Sequence, residues 1–132
     1  MFLFDTDTLS NLGKSRPSPR LLRQLAAAPG PIYTSAITVA EMLKGAHKSP
    51  HPALFIQKFR DAIQQMSGVL PFDRQAAEIY GTIAAEVERQ EVTIGFPDLQ
   101  IAAIALCRGL TVVTHNIGHF QRVPGSQVAD WL

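Results

Sequence analysis

Three acidic residues sit where an α/β chain places its chemistry. Asp5 follows the apolar run Phe2-Leu3-Phe4, Glu41 lies about one helical turn into the segment after Ile32-Tyr33-Thr34, and Asp98 follows Gly95-Phe96-Pro97. In an open parallel sheet, ligands bind beyond the carboxyl ends of the strands, where the next helices begin. Acids far apart in sequence can therefore meet at one edge. Three carboxylates with no close lysine repel one another, and a hard divalent cation that prefers oxygen ligands, Mg²⁺ or Mn²⁺, relieves that repulsion. Such an ion lowers the pKa of a coordinated water and supports in-line attack on a phosphodiester, so hydrolysis needs no protein nucleophile.

Each acid also has a purely structural reading. Asp5 can cap a helix, Glu41 stands three residues after Thr38 as in a capping box, and Asp98 can complement a helix N-terminus beside Pro97. Against this, Ile37, Val39, Ala40, Met42 and Leu43 make the surroundings of Glu41 apolar. A charge in such a segment needs a partner, and a divalent cation is one.

The elements that must position these acids alternate along the chain. Short apolar or β-branched runs over residues 2–4, 32–34, 69–72 and 110–114 predict buried parallel strands, with a fifth near 127–129. Between them, helical periodicity covers 21–28, 37–46, 54–66, 76–88 and 99–107. In the fourth helix Ile79, Tyr80, Ile83, Ala84 and Val87 form one stripe, and Asp73 precedes it as an N-cap. The alternation predicts an α/β fold: a three-layer α/β/α sandwich around a central, mostly parallel sheet, as one domain over residues 1–132. The segments Arg16-Pro-Ser-Pro, Ala28-Pro-Gly-Pro and Ser49-Pro-His-Pro read as loops.

Composition bounds the setting. With 46% hydrophobic and 17% charged residues among 132, the chain is neither disordered nor membrane-spanning in character. Met1-Phe2-Leu3-Phe4-Asp5 has no basic region and breaks its apolar run with an acid, unlike a secretory signal, and the one cysteine, Cys107, forms no internal disulfide. The expectation is a cytoplasmic protein with Cys107 as a small buried hydrophobe. The net charge of +1 hides an uneven distribution: from Thr8 to Ala40 there is no acid, whereas Lys14, Arg16, Arg20 and Arg23 all fall there. They are candidates for contacting a nucleic-acid backbone, with a solvated helix face as the plain reading.

Four segments in this order resemble the PIN-domain ribonucleases, and among them the VapC-type toxins of bacterial toxin–antitoxin pairs. They are Phe4-Asp-Thr-Asp-Thr-Leu-Ser10, Ile37-Thr-Val-Ala-Glu-Met-Leu-Lys-Gly45, Pro97-Asp-Leu-Gln-Ile-Ala-Ala-Ile-Ala-Leu106, and Val113-Thr-His-Asn116 through Phe120-Gln-Arg-Val-Pro-Gly125. The resemblance implies that Asp5, Glu41 and Asp98 are metal-binding acids and that Thr114 orders the site. It places Asn116 at a fourth position that is often Asp in relatives, and Asp7 where relatives often have Asn. It further implies an RNA substrate, a homodimer, and an antitoxin whose basic tail occupies the acidic site. His119 stands where relatives usually carry an acid. With His115 it forms an i, i+4 pair of the kind that binds Zn²⁺, but with no third nitrogen or sulfur ligand in view a phosphate-facing or plainly structural role is the preferred reading.

Two rival functions use the same residues. Asp5-Thr6-Asp7-Thr8 after an apolar strand also matches the nucleophile motif of haloacid-dehalogenase-like phosphatases, in which Asp5 would attack phosphate and Asp7 act as general acid. That scheme needs a placed lysine and a later acid pair, whereas Lys58 lies inside a helical pattern and Asp98 stands alone. The other rival is a non-catalytic PIN-like binding module that keeps its acids and has lost chemistry through Asn116.

Overall fold

A computed structural model describes residues 1–132. Five strands, β1 (Phe2–Phe4), β2 (Ile32–Ser35), β3 (Gly68–Leu70), β4 (Thr111–Val113) and β5 (Gln127–Ala129), form one sheet in the order β3-β2-β1-β4-β5, and all four pairings are parallel. The order reverses direction beside β1. The chain first winds outward through β2 and β3, then crosses back to β4 and β5, so the ends of β1 and β4 flank a topological switch point.

Side-chain alternation in β1 and β4 splits the interior in two. Leu3 and Val112 enter one core, with Ile83 and Val87 of α5 (Arg74–Arg89) and Ile101 to Ala105 of α6 (Phe96–Arg108). Phe4 and Val113 enter the other, with Leu9 and Leu12 of α1 (Thr6–Leu12), Leu21 of α2 (Pro19–Ala27) and Phe59 and Ala62 of α4 (Pro52–Gln64). The remaining helices are α3 (Ala36–His47) and the short α7 (Ile117–Phe120). This is the expected three-layer sandwich, and no helix is long and apolar enough to cross a membrane.

Local chemistry sets the helix starts. Asp73 accepts from Ala76 N at 3.0 Å and caps α5 as its sequence position predicts. Ser18 caps α2 and Pro19 enters its first turn, so the helix begins inside a segment that the Pro-rich sequence marks as loop. Gly109, at φ 65, ends α6 in the left-handed conformation that glycine adopts without strain. Helix α1 is missing from the expected helices, because seven residues show too little periodicity to register. Cys107 is half-buried against the core instead of enclosed, its sulfur 3.8 Å from Gln75 Oε1.

At the open end of the second core, Trp131 meets Phe2 and Phe4 edge to face, with ring centroids 4.8 and 5.5 Å away. It is buried although it stands next to the last residue. Trp131→Ala is therefore expected to destabilise the fold by about 3 kcal/mol, read by urea unfolding. A loss under about 1 kcal/mol would mean that the core beneath β1 is closed by other groups.

Candidate active site

Asp5 is the first residue past β1, and its position follows from two functions at once. As N-cap of α1 its Oδ1 accepts from Thr8 N at 2.9 Å. Its Oδ2 accepts the Thr114 hydroxyl at 2.6 Å, across the switch point from the end of β4. Thr114 Oγ accepts in turn from Asn116 N at 2.8 Å, which directs its proton towards Asp5. Thr8 is fixed as well, donating to the Val113 carbonyl at 2.9 Å. Asp5 as a whole is only 3% exposed. Burial pushes its pKa above the ordinary 3.8, the Thr114 and Thr8 hydrogen bonds oppose the rise, and the nearby Asp7 charge adds to it.

Glu41 lies in the second turn of α3, and the capping-box reading fails on geometry. The cap is Ser35, whose Oγ accepts from Thr38 N at 3.1 Å. Glu41 is instead held by the Thr6 hydroxyl, which donates to Oε1 and also lies 3.2 Å from the Thr38 hydroxyl. A chain of hydroxyls from Ser35 through Thr38 and Thr6 thus ties the end of β2 to the start of α1 and ends on a carboxylate. Thr6 carries no signal beyond lying in a threonine-rich turn, and sequence reasoning passes over it.

Asp98 sits in the first turn of α6, after the N-cap Gly95, and makes no cap hydrogen bond. Its side chain keeps 29% of its surface, and Oδ2 lies 3.7 Å from His119 Nδ1. Burial raises its pKa above the ordinary 3.8; His119 opposes the rise, and the charges of Glu41 and Asp7 reinforce it. Asp98 therefore feels the acids of α3 and α1, although all three come from separate parts of the chain. Asp7 is exposed on α1 and contributes repulsion to both Asp5 and Asp98.

Asn116 precedes α7, and its side-chain amide meets His119 Nδ1 at 2.7 Å. His115 turns the other way, to Asp130 Oδ2 at 3.1 Å. The two histidines thus diverge, and the i, i+4 zinc pair suggested by their spacing does not form. Lys14, Arg16, Arg20 and Arg23 are all exposed, and Arg20 reaches the Leu132 carbonyl at 3.3 Å. No lysine or arginine pairs with Asp5, Asp7, Glu41 or Asp98.

The acids are neighbours, not a closed cage: no three His, Cys, Asp or Glu side chains are grouped to hold a metal ion. Their chemistry nevertheless suits one. The donors are hard carboxylate oxygens of one sign, and Glu41 and Asp98 each keep an oxygen with no hydrogen bond inside the chain. The phosphatase scheme fits poorly, because a nucleophilic Asp5 would attack from a buried carboxylate whose two oxygens are already bonded.

Residues 2–126 match the profile of the PIN domain family. The chain belongs to that family. It is 35% identical over 130 residues to the tRNA(fMet)-specific endonuclease VapC of Salmonella typhimurium, covering 98% of this chain and 97% of that one. It is 32% identical over 131 residues to the ribonuclease VapC2 of Haemophilus influenzae, covering 99% and 98%. Among solved structures, VapBC2 of Rickettsia felis bound to a promoter DNA fragment contains a chain that superposes with a TM-score of 0.92 at 26% identity, covering 99% and 98%. Both VapC relatives match this chain over nearly its whole length.

Because burial and like charge oppose ionisation of Asp98, its charge destabilises the fold at neutral pH. The folded pKa lies above the unfolded one, so the protonated form is stabilising below about 3.8 and that contribution is lost as pH rises through the folded value. Asp98→Asn is expected to raise Tm by a few degrees in EDTA near pH 7, the gap to wild type closing as pH falls towards about 4. A variant that melts below wild type at neutral pH would show that the carboxylate stabilises the fold.

Proposed function

We propose that this chain is a metal-dependent endoribonuclease, the toxin of a toxin–antitoxin pair, which hydrolyses RNA phosphodiester bonds with Mg²⁺ or Mn²⁺ at Asp5, Glu41 and Asp98. One observation carries the metal reading: Asp98 is half-buried within the fields of Glu41 and Asp7, with no lysine or arginine to neutralise them. The relatives' names support RNA as substrate, and the VapBC assemblies among similar structures support an antitoxin partner. The homodimer and the cytoplasmic setting belong to the same reading.

A divalent cation bound to these acids would activate a water for attack on phosphorus and offset the phosphate charge. The residues of this chain do the positioning. Thr114 and the Thr8 amide hold the Asp5 carboxylate in one orientation, and the Thr6 hydroxyl holds one oxygen of Glu41 and leaves the other without a hydrogen bond inside the chain. Asn116 is neutral where a fourth acid would add charge, and its pairing with His119 keeps a hydrogen-bonding group at the rim next to Asp98. Asp7 supplies one further carboxylate on α1. Lys14, Arg16, Arg20 and Arg23 are exposed and are our candidates for backbone contacts, which position RNA without reading its sequence.

The test is cleavage of total cellular RNA by partner-free protein in Mg²⁺, Mn²⁺ or EDTA. Discrete fragments are expected in one or both metals and not in EDTA, with cutting reduced roughly 100-fold or more in Asp98→Asn. Identical patterns from wild type and variant, or no cutting in either metal, would remove the catalytic reading in favour of a binding module.

A further inference from the structure

A trough leads from Glu41 towards two lysines. Its inner part, about 290 Å³, is lined by Thr6, Glu41 and Gly45. Its outer part, about 370 Å³, is lined by Lys14, Ser15 and Lys58. Both parts share Ser10, Met42, Phe55 and Phe59, so they adjoin along α1, α3 and α4.

Three features of this trough bear on what it could hold. The Phe55 side chain is 44% exposed, a large apolar ring left in water at the middle of the trough. Lys58, one turn later on α4, holds its ammonium 5.9 Å from the centre of that ring and 3.4 Å from Ser15 Oγ. Asp61, the one acid on α4, is engaged by Gln57 Nε2 at 2.9 Å, not by either lysine. The third feature is Gly45, in the interior of α3, where glycine weakens a helix. A Cβ there would meet nothing within 4 Å, so no packing demands the glycine. Its effect is to leave space one turn beyond Glu41 on the same helix face.

The Glu41 carboxylate at one end, an exposed ring in the middle and ammonium groups at the other end match the alternation of phosphate and base along single-stranded RNA. We propose that the trough is a nucleotide subsite: the base flanking the scissile phosphate stacks on Phe55, and the next backbone phosphate lies against Lys14 and Lys58. The inference rests on the nuclease reading. In it Phe55, Lys14 and Lys58 are positioning residues, and Gly45 is an opening that admits the nucleotide.

The test uses the full chain carrying Asp98→Asn, a fluorescein-labelled single-stranded RNA oligonucleotide, and anisotropy. Adding Phe55→Ala or Lys58→Gln is expected to weaken binding roughly 5- to 30-fold, while Arg74→Gln, on the far side of the molecule, leaves it unchanged. Phe55→Trp should keep the affinity and show fluorescence quenched by the oligonucleotide, a signal of stacking that a merely structural role would not produce. Gly45→Ala should raise Tm yet weaken binding. In the otherwise wild-type enzyme, Phe55→Ala and Lys58→Gln should raise KM with kcat nearly unchanged. Normal affinity and KM in both variants, with no quench in Phe55→Trp, would overturn the subsite and leave the nuclease intact. Unchanged RNA affinity with weakened antitoxin binding would also overturn it, making the trough a protein groove. No RNA cleavage by wild type would remove the nuclease reading and the subsite together.

Discussion

The hydrogen bond from Thr114 to Asp5 spans the point where the sheet reverses its winding, and the site is organised around it. A buried carboxylate is costly unless its oxygens are engaged, and here each oxygen is bonded by a group the fold already supplies, an α1 amide and a β4-end hydroxyl. The same two bonds fasten the start of α1 to the end of β4. Fold and charge are thereby mutually dependent: the strand order brings Thr114 beside Asp5, and Asp5 caps the helix that carries Thr6 and Asp7.

From that anchor the remaining acids are placed by hydroxyls, not by basic partners. Ser35, Thr38 and Thr6 relay hydrogen bonding to Glu41, and no buried side-chain polar atom is left without a partner. Hydroxyls orient a carboxylate without neutralising it, so the negative potential survives for an external cation. A lysine in the same place would stabilise the fold better and leave less charge for a ligand. Burial first, and like charge after it, push the Asp5 and Asp98 carboxyls upward, a local instability of the kind found where residues are selected for binding over stability.

Much of this was legible in the chain. Central strands three or four residues long, buried on both faces, leave continuous apolar runs, which is why residues 2–4, 32–34 and 110–114 announce the central sheet. Glu41 stands out because an acid inside Ile37-Thr-Val-Ala-Glu-Met-Leu contradicts its surroundings. What escaped has physical reasons. Helix α1 is too short to display a period, and the partnership of Thr6 with Glu41 spans 35 positions, a separation for which local pattern has no memory. The histidine spacing carried little information because i, i+4 implies a shared face only within one helix, whereas His115 precedes α7 and turns to Asp130. The role of Lys58 was hidden because periodicity sorts buried from exposed positions and says nothing of which exposed lysine faces a trough.

The electrostatics of the two ends belong together. A cleft lined only by acids would repel a polyanion, so a ribonuclease of this kind needs attraction that does not cancel the field at its metal ligands. Placing the cations on the far rim meets both needs: Lys14 and Lys58 share the trough with Glu41 but form no ion pair with it. Between them, an exposed ring and a missing Cβ offer a base a surface and a space, neither of which carries charge. Screening in water confines each ammonium to its own neighbourhood, about 8–10 Å at ordinary salt. RNA can then be held by one end of the trough while its phosphodiester reaches acids whose charge is still available for the cation.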